Sequence, residues 1–389
     1  MAEGHKKARV ENPYNGRAIC YAMRILHLAD THLGYSAYHK TADNGLNQRE
    51  VDVYDAFRRA VDYALHREPD LVVHAGDLFD TVRPTNRAIN VALEELLRLS
   101  RAGIPTVIIS GNHETPKLRE TGSVFRIFEH LDHIYPVYRG RYETLEFGEV
   151  TVHAIPHCST GEGLRQNLEA LAPAEGRFNL LLLHVGVSGI REFRTGDFNE
   201  QVIPTGYLSP DFDYIALGHY HRQCPVTDNA YYAGSIEHLS FKEAGEEKGL
   251  MEIDTQGPEV SYVPLPVRPM LDLGALDCSS LSAEEITRQV TRRLQETEVE
   301  GAVVRIVLKS ISRSTYKGLD FPTIRRAASP ALHFEFPHEL KELEQELVSR
   351  GRIGSLAEEW RRYLDQAAVE DDKEELEALA LRYLTEVEE

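Results

Sequence analysis

Cysteines are scarce in this 389-residue chain and lie far apart. The four of them are Cys20, Cys158, Cys224 and Cys278, and no two form a C-x-x-C pair. This spacing excludes a disulfide framework and the usual zinc-finger site. The cysteines are therefore predicted to be packing residues in a protein of the reducing cytoplasm.

Long apolar runs are also missing. No stretch approaches the roughly 18 apolar residues of a membrane span, so no such span is expected. Residues 1–22 lack the apolar core of a secretory signal and show no hydrophobic periodicity. We expect them to be a disordered extension, a tag or a mis-assigned start, with the folded chain beginning at Met23.

The chain lacks the basic excess that nucleic-acid-binding proteins usually show. Its formal net charge is −19, which by itself argues against a generic nucleic-acid binder. Residues 338–389 contain 16 acidic and 7 basic residues, so about half of the acidic excess lies there. Elsewhere, Asp and His residues have the character of metal ligands, and bound divalent ions would invert the local field. DNA is therefore not excluded as a substrate.

Apolar runs alternate with amphipathic segments between Met23 and Pro266. Strands are predicted at 24–29, 71–75, 104–110, 180–183 and 214–217, and helices at 48–67 and 85–101. This alternation is typical of a layered α/β fold. Residues 141–155 and 229–265 predict β-hairpins, and hence a second, more antiparallel sheet.

The last third of the chain has a different pattern. Residues 267–269 have the character of a linker, and a smaller α+β unit is predicted to follow them. After Pro337, helices are predicted at 339–348, 355–366 and 370–387. We therefore expect domains at 23–266 and 267–337 and a helical tail at 338–389.

Polar residues of metal-binding type follow the apolar strands. The set comprises Asp30-Thr31-His32, Gly76-Asp77, Gly111-Asn112-His113-Glu114, His184 and Gly218-His219-Tyr220-His221. In open α/β sheets, ligands bind outside the carboxyl ends of the strands, so these residues are expected to meet in one crevice. A lone Asp-x-His occurs often by chance, whereas a series in which each motif closes an apolar run does not. His74, His153 and His157 lie within or beside strands and are predicted to be structural.

The residue types favour two divalent ions over one structural zinc ion. The ligands are too many for one tetrahedral site, and no thiolate is among them. Oxygen and imidazole donors together favour Mn or Fe, held as a pair roughly 3.5–4 Å apart at a phosphoester site. Asp77 is the best-placed carboxylate to bridge the pair. The glycines before Asp77, Asn112 and His219 are expected to let the backbone turn sharply off each strand.

The motif series resembles that of the calcineurin-like metallophosphoesterase superfamily. Within it, the segments at 26–35, 76–80, 232–237 and 267–269 resemble the SbcD-type double-strand-break repair nucleases, whose archaeal and eukaryotic relatives are the meiotic-recombination nucleases. The resemblance runs from Met23 to about Pro269 and is weaker beyond. It implies a two-sheet sandwich flanked by helices, a DNA-capping domain at 267–337 and a partner-binding tail at 338–389.

The resemblance implies two Mn²⁺ ions per subunit, with Mg²⁺ or Fe as alternatives. On the matching positions, one ion would be held by Asp30, His32, Asp77 and His221. The other would be held by Asp77, Asn112, His184 and His219. The family reaction is hydrolysis of DNA phosphodiesters, as an exonuclease on double-stranded ends and an endonuclease on single strands.

Two further residues are predicted to be catalytic. His113 matches the family's catalytic histidine, whose imidazolium would stabilise the transition state or protonate the leaving oxygen. Asp80 stands where the archaeal and eukaryotic branch has a second active-site histidine and bacterial SbcD-like chains have aspartate. A loop carboxylate without a catalytic part is an equal alternative for Asp80. Because a carboxylate cannot neutralise phosphate charge, the balance of exonuclease and endonuclease activity stays open.

Several residues are candidates for contact with DNA. Tyr35 and His39 match family DNA contacts, and Lys40 and Lys117 lie in loops beside the metal motifs, where they would contact phosphate. A solvated loop is the alternative in each case. The stretch 305–326 has six basic residues against Asp320 alone, which would suit phosphate contact in the capping domain.

The resemblance also implies protein partners. In the family, the tail binds an SbcC-type coiled-coil ABC ATPase. Here apolar residues recur at helical spacing in 356–364 and 376–384, as in helices that dock into a partner groove. Packing of the tail on its own chain is the alternative. Helices predicted at 85–101 and 118–130 occupy the region through which the family forms homodimers, so a dimer is expected.

Two other functions stay open beside the nuclease. One is another metallophosphoesterase, such as a small-molecule phosphodiesterase or a protein phosphatase. The other is a scaffold that keeps the fold and recruits the ATPase. A compact phosphatase needs neither a basic unit nor an amphipathic tail, and a scaffold needs no complete ligand set, so both are less favoured.

Overall fold

The computed structural model describes residues 22–116, 122–189, 200–257 and 260–341. It also describes two short strands before Met23 and the helical positions 360, 376 and 379. The predicted extension 1–22 and tail 338–389 therefore lie almost entirely outside the described residues, and so does Lys117.

The described chain alternates strands with helices. The strands are β1 (Val10–Glu11), β2 (Ala18–Ile19), β3 (Arg24–Leu28), β4 (Leu71–His74), β5 (Thr106–Ile109), β6 (Ile134–Val137), β7 (Glu143–Phe147), β8 (Val150–Ile155), β9 (Phe178–His184), β10 (Gly186–Val187), β11 (Val202–Ile203), β12 (Tyr214–Gly218), β13 (Cys224–Pro225), β14 (Ala230–Tyr232), β15 (Gly249–Asp254), β16 (Val260–Pro264), β17 (Met270–Asp277), β18 (Val303–Ile311), β19 (His333–Glu335) and β20 (His338–Leu340). The α-helices are α1 (Gln48–Arg67), α2 (Asn86–Arg101), α3 (Gly161–Glu169), α4 (Ala283–Glu296), α5 (Arg313–Lys317) and α6 (Phe321–Ala327). Short 3₁₀ helices span Val124–His130, Thr205–Tyr207 and Phe241–Glu243.

Two six-stranded sheets form the main body. The first has the order β16-β15-β3-β4-β5-β6, and the second has the order β13-β14-β12-β9-β8-β7. Strands β3 to β6 are mutually parallel, and so are β8, β9, β12 and β14. The carboxyl ends of β3, β4 and β5 therefore meet at one edge of the first sheet, and those of β9 and β12 meet at one edge of the second.

Both sheets are covered on both faces, so the central strands β4, β5, β9 and β12 are buried along their whole length. In β4, Leu71 and Val73 belong to the core between the sheets, whereas Val72 packs with α1 and α2. In β9, Leu180 belongs to the same central core and Leu181 packs with α3. The resulting order of helices, sheet, sheet and helix confirms the predicted layered α/β class and the sandwich flanked by helices.

The helices α1 and α2 match their predicted bounds closely. Asn47 and Thr85 accept backbone N–H groups at the two amino ends, as capping residues do. The inner faces bury Phe57 and Leu96 against the first sheet. Because each helix connects two neighbouring parallel strands, the amino ends of the pair fix where the loops after β3 and β4 end.

The chain divides into two compact units. The first comprises Met1–Gly274, Thr287–Ile306 and Asp320–Pro337, and the second comprises Ala275–Ile286, Val307–Leu319 and His338–Glu389. In the first unit, β19 pairs in parallel with Val303–Arg305 of β18. In the second unit, β20 pairs in parallel with the end of β18. The domain boundaries expected at 267 and 338 stay predictions.

Three local predictions are corrected. The hairpin of β15 and β16 was expected in the second sheet, but β15 pairs with β3 and extends the first. The period-2 pattern predicts strands without telling which sheet edge they join. Within the predicted helix 118–130, residues 124–130 form a 3₁₀ helix. The predicted helix from 339 does not begin there, because His338–Leu340 is held as a strand by β18.

Among the described residues, none of the helices combines the length and the apolar content that a membrane crossing needs.

Candidate metal centre

The strand ends of the two sheets meet. Asp30 follows β3 of the first sheet, and His219 follows β12 of the second. The backbone N–H of His219 donates to both carboxylate oxygens of Asp30, at 2.9 and 3.1 Å. His184, the last residue of β9, has its Nδ1 2.7 Å from the carbonyl oxygen of Ala75, just beyond β4. Residues from the strand ends of both sheets therefore converge, as the motif series predicts.

A first group of predicted ligands lies on the β3 side. The ligand atoms of Asp30, His32 and His221 lie within 4.8 Å of one another. Asp30 and His32 are buried, and the His221 side chain is 28% exposed. The ring centroids of His32 and His221 are 4.9 Å apart. This group has the donors that one divalent ion needs.

A second group lies beside it. The ligand atoms of Asp77, His184 and His219 also lie within 4.8 Å of one another, and all three residues are buried. Oδ1 of Asn112 is 2.8 Å from Nε2 of His184 and 3.1 Å from Nδ1 of His219. The structure thus brings together all four residues predicted to hold the other ion.

Asp77 lies between the two groups. Its Oδ2 is 3.2 Å from Nε2 of His184 in the second group and 3.7 Å from Nε2 of His32 in the first. A carboxylate that bridges two ions must reach ligands of both. The placement of Asp77 meets this requirement.

Four predicted ligands have a left-handed backbone conformation. The φ angles are 50° at Asp30, 51° at His32, 53° at Asp77 and 107° at His219. Such a conformation costs a non-glycine residue about 1–3 kcal/mol and persists only where its surroundings enforce it. Four of the nine described non-glycine residues with positive φ are thus predicted ligands, and strained residues of this kind occur at many functional sites.

The glycines of the motifs have two different reasons to be glycine. Gly76 has a φ of 91°, so it provides the sharp turn predicted for it. Gly111 and Gly218 do not have positive φ, which corrects the prediction for these two. A Cβ at Gly111 would lie 2.1 Å from Oδ1 of Asp77, and one at Gly218 would lie 2.0 Å from the carbonyl oxygen of Ala75. Close approach of neighbouring groups, not a turn, requires them.

Burial and neighbouring charges shift the pKa values of the predicted ligands. Burial raises the pKa of Asp30. Burial would also raise the pKa of Asp77, but His184 and His32 outweigh it and hold that pKa well below its usual value. Burial lowers the pKa of His219 to about 3. These shifts favour the anion of Asp77 and the neutral form of His219, the forms in which each binds a metal. Burial would lower the pKa of His184, but Asp77 and Asp30 outweigh it and raise that pKa to about 9, so a metal bound there would displace a proton.

Two orphaned nitrogen atoms support a metal at this site. Within the described ranges, Nε2 of His32 and Nε2 of His219 are buried without a hydrogen-bond partner, although Oε1 of Glu200 lies 3.4 Å from the latter. A buried imidazole nitrogen left unpaired is costly unless something coordinates it. Together with the oxygen and imidazole donors around them, these atoms fit a pair of divalent ions.

The two predicted catalytic residues lie next to the ligands. The backbone N–H of His113 donates to Oδ1 of Asp77 at 3.0 Å, and its Nδ1 is 2.9 Å from the carbonyl oxygen of Asp80. The His113 ring lies edge-on to that of His32, with centroids 4.7 Å apart. Oδ1 of Asp80 is 3.2 Å from Nδ1 of His32. The structure therefore connects Asp80 directly to a predicted ligand.

Two buried glutamates were missed as parts of the site. Glu114 accepts the backbone N–H groups of Leu78 and Gly111, at 3.2 and 3.0 Å, and so joins the loops after β4 and β5. Glu243 has its Oε1 3.1 Å from Nδ1 of His221. Glu114 belongs to the predicted motif at 111–114, but the sequence does not show that its side chain is buried. Glu243 has no local motif, and only the fold reveals its contact.

The predicted DNA contacts have different surroundings. The Tyr35 hydroxyl donates to the carbonyl oxygen of Leu239, and its ring packs on the core of the first sheet. His39 and Lys40 are exposed. In the basic stretch, Arg305 is already paired with Asp272. The exposed basic side chains of the stretch are Lys309, Arg313, Lys317, Arg325 and Arg326.

The fold and the site define a two-metal phosphoesterase class, and comparison with known proteins agrees. The family model described as calcineurin-like phosphoesterase matches residues 23–223, which is more than half of the chain. That range contains all seven predicted metal ligands.

Similarity to curated proteins indicates a particular group within the phosphoesterase class. A DNA double-strand break repair protein Mre11 from Sulfurisphaera tokodaii is 31% identical over 366 residues, which cover 90% of this chain and 83% of the relative. One from Saccharolobus solfataricus is 33% identical over 260 residues, covering 64% of this chain and 65% of the relative. One from Methanopyrus kandleri is 28% identical over 371 residues, covering 86% and 78%. The chain belongs to the calcineurin-like phosphoesterase family and, within it, to the SbcD/Mre11 group.

Proposed function

We propose that this protein is a metal-dependent DNA repair nuclease that hydrolyses phosphodiester bonds at a two-metal centre. The observation that carries the proposal is the pair of ligand groups with Asp77 between them. The relatives named as double-strand break repair proteins support DNA as the substrate.

The metal ions, His113 and Asp80 have different roles in the proposed reaction. Two divalent ions bound at this site would activate water and neutralise phosphate charge. His113 directs Nδ1 to the Asp80 carbonyl oxygen, so its imidazolium carries the second proton on Nε2. That proton is available to stabilise phosphate charge or to pass to the leaving oxygen. Through its contact with His32, Asp80 would act on the reaction by holding a ligand in place.

We further propose manganese as the preferred metal. Mg²⁺ prefers an octahedron of oxygens and gives up its waters reluctantly, whereas imidazole donors suit Mn²⁺ and Fe better. Four of the seven proposed ligands are imidazoles: His32, His184, His219 and His221. The activity expected is exonuclease on double-stranded ends and endonuclease on single-stranded DNA.

The proposed nuclease acts with partners in the cytoplasm. The amphipathic pattern after residue 338 supports docking on an SbcC-type coiled-coil ATPase, and a homodimer is proposed through α2 and the 3₁₀ helix that follows β5. Removing the residues after His338 is expected to leave Mn-dependent cleavage of short DNA and to abolish co-purification with the ATPase. Full ATPase binding by the shortened chain would place the partner site elsewhere.

Comparing two substrates tests the function. The metal-stripped protein is given duplex DNA or an aryl phosphodiester, with Mn²⁺, with Mg²⁺ or with chelator. A nuclease is expected to cleave DNA with Mn²⁺, less well with Mg²⁺, and not at all with chelator. Hydrolysis of the aryl ester without DNA cleavage would favour another phosphodiesterase. Inactivity on both, with normal ATPase binding, would favour the scaffold.

A further inference from the structure

Glu243 contacts a proposed metal ligand from outside the ligand set. It ends the 3₁₀ helix Phe241–Glu243, and its Oε1 lies 3.1 Å from Nδ1 of His221. The carboxylate side chain is only 8% exposed. A buried carboxylate on one imidazole nitrogen fixes the tautomer and the orientation of the ring, which leaves the other nitrogen to bind a metal.

Other groups hold the Glu243 carboxylate in place. Its Oε2 accepts from Nζ of Lys248 at 2.7 Å and from Ser235 Oγ and the Leu239 backbone N–H, both at 3.2 Å. Lys248 is itself buried, and its Nζ also donates to the carbonyl oxygen of His221 at 2.8 Å. Both the ring and the backbone of His221 are thus tied to one buried ion pair.

The two ligand groups differ in the groups that face their imidazole rings. In the first group, both imidazoles face a carboxylate through Nδ1: His221 faces Glu243, and His32 faces Asp80 at 3.2 Å. In the second group, Nδ1 of His184 faces a backbone carbonyl oxygen, that of Ala75, and Nε2 of His219 has Oε1 of Glu200 at the longer distance of 3.4 Å. An anionic partner raises the basicity of an imidazole ligand more than a neutral carbonyl does. In the first group, each imidazole therefore has a carboxylate oxygen within 3.2 Å of its Nδ1, a contact that His184 of the second group does not make.

We propose that Glu243 is a positioning residue that sets the affinity of one of the two metal positions, the one shared by Asp30, His32 and His221. The proposal rests on the proposed metal centre and adds a residue to it. Glu243 acts through the His221 ring, and Lys248 holds the carboxylate in place. Loss of the Glu243 charge should weaken one ion and leave the other bound.

The test measures metal binding directly. Wild-type protein and Glu243→Gln are stripped of metal and titrated with Mn²⁺ by calorimetry, and bound Mn is counted by elemental analysis. We expect two ions in the wild type and, in the variant, one position weakened by about 10–100-fold with the other unchanged. Glu246→Gln is the matched control, because Glu246 also pairs with Lys248, at 3.2 Å, and it should bind both ions as the wild type does.

Three further readouts separate positioning from folding. In thermal unfolding, metal-free Glu243→Gln should be less stable than Glu246→Gln, because it breaks the more buried ion pair of Lys248, but it should still unfold cooperatively. Raising Mn²⁺ by the same 10–100-fold should restore the second ion to Glu243→Gln. Should that variant fail to fold, Glu243→Asp keeps the charge beside Lys248 but withdraws the carboxylate from His221, and the same loss of one ion is expected.

Two ions bound at wild-type affinity in either folded Glu243 variant would overturn the proposal. A wild type that binds no Mn²⁺ would overturn the proposed metal centre as well, whereas selective loss of one ion in a protein that does not cleave DNA would support Glu243 and reject only the nuclease.

Discussion

The backbone N–H of His113 donates to Oδ1 of Asp77 at 3.0 Å. The same carboxylate turns its Oδ2 toward His184 and His32, one from each ligand group. Asp77, the proposed bridge between the ions, therefore also holds the backbone of His113, the proposed proton donor. A change at Asp77 is expected to reach both functions, whereas a change at the His113 ring is expected to reach only one.

Replacing Asp77 by alanine should remove both metals. The substitution deletes the proposed bridge, which is also the anion that lies beside both His184 and His32. Elemental analysis of the purified variant should find no stoichiometric Mn, and cleavage should fall to background. Retention of both ions would show that another residue bridges.

Replacing His113 by alanine should keep both metals and nearly normal DNA binding. General acid–base work of this kind contributes about 10²–10⁴-fold, so single-turnover cleavage should fall by that order. The loss should lie in the chemical step, because the missing interaction forms mainly in the transition state. If the variant holds both ions and cleaves at the wild-type single-turnover rate, His113 has no part in the mechanism.

Replacing Gly218 by alanine should damage the fold and the metal centre together. The added Cβ would lie 2.0 Å from the carbonyl oxygen of Ala75, a backbone atom that cannot move away cheaply. Overpacking of this kind costs about 1–3 kcal/mol or more. Gly206→Ala is the matched control, because its Cβ would meet nothing within 4 Å. Urea unfolding and Mn content should show a large loss in the first variant and almost none in the second.

Periodicity in the sequence was sufficient to predict the layers and the convergence of the proposed ligands. The helix predicted at 48–67 is α1 to the residue, because a buried apolar stripe with a cap at Asn47 is a local signal. Residues after parallel strands must meet at one edge, so Asp77 and Asn112 were predicted as neighbours from the strand pattern alone.

Long-range pairings were beyond such reasoning. The sheet that β15 joins depends on the free edge of β3, some 220 residues earlier in the chain. The contact of Glu243 with His221 and the hydrogen bonds of Asp30 to the His219 backbone depend on how two sheets meet. No spacing within one segment encodes those distances. The close approach that excludes a side chain at Gly218 is of the same kind.

The predicted linker residue Arg268 is part of a buried ion network. Its guanidinium holds both carboxylate oxygens of Asp52 on α1, at 2.6 and 2.7 Å, and donates to the carbonyl oxygen of Gly301 at 2.6 Å. Arg49, almost fully buried, shares Asp52 at 2.6 Å and also pairs with Glu237. Burial would raise the pKa of Asp52, but Arg268 and Arg49 outweigh it and lower that pKa.

This network predicts a pH-dependent loss of stability in Asp52→Asn. A carboxyl group whose pKa is lowered by folding contributes stability that is complete above its unfolded pKa of about 3.9 and is lost as the pH falls through the lower folded value. At pH 7 the variant should be destabilised by about 2–4 kcal/mol, because a buried guanidinium pair loses its anion while Arg268 stays one-fifth exposed. Below about pH 4 the difference from the wild type should shrink, since the Asp52 carboxyl of the unfolded wild-type chain then binds a proton while that of the folded chain, with its lower pKa, does not. Asp55→Asn is the matched control on the same helix: its pair with Arg58 is about 40% exposed on both sides, so it should cost less than about 1 kcal/mol at any pH. Urea unfolding of the three proteins at pH 7, 5, 4 and 3 checks the prediction, and an equal gap at every pH would show that the Asp52 charge is not what stabilises this network.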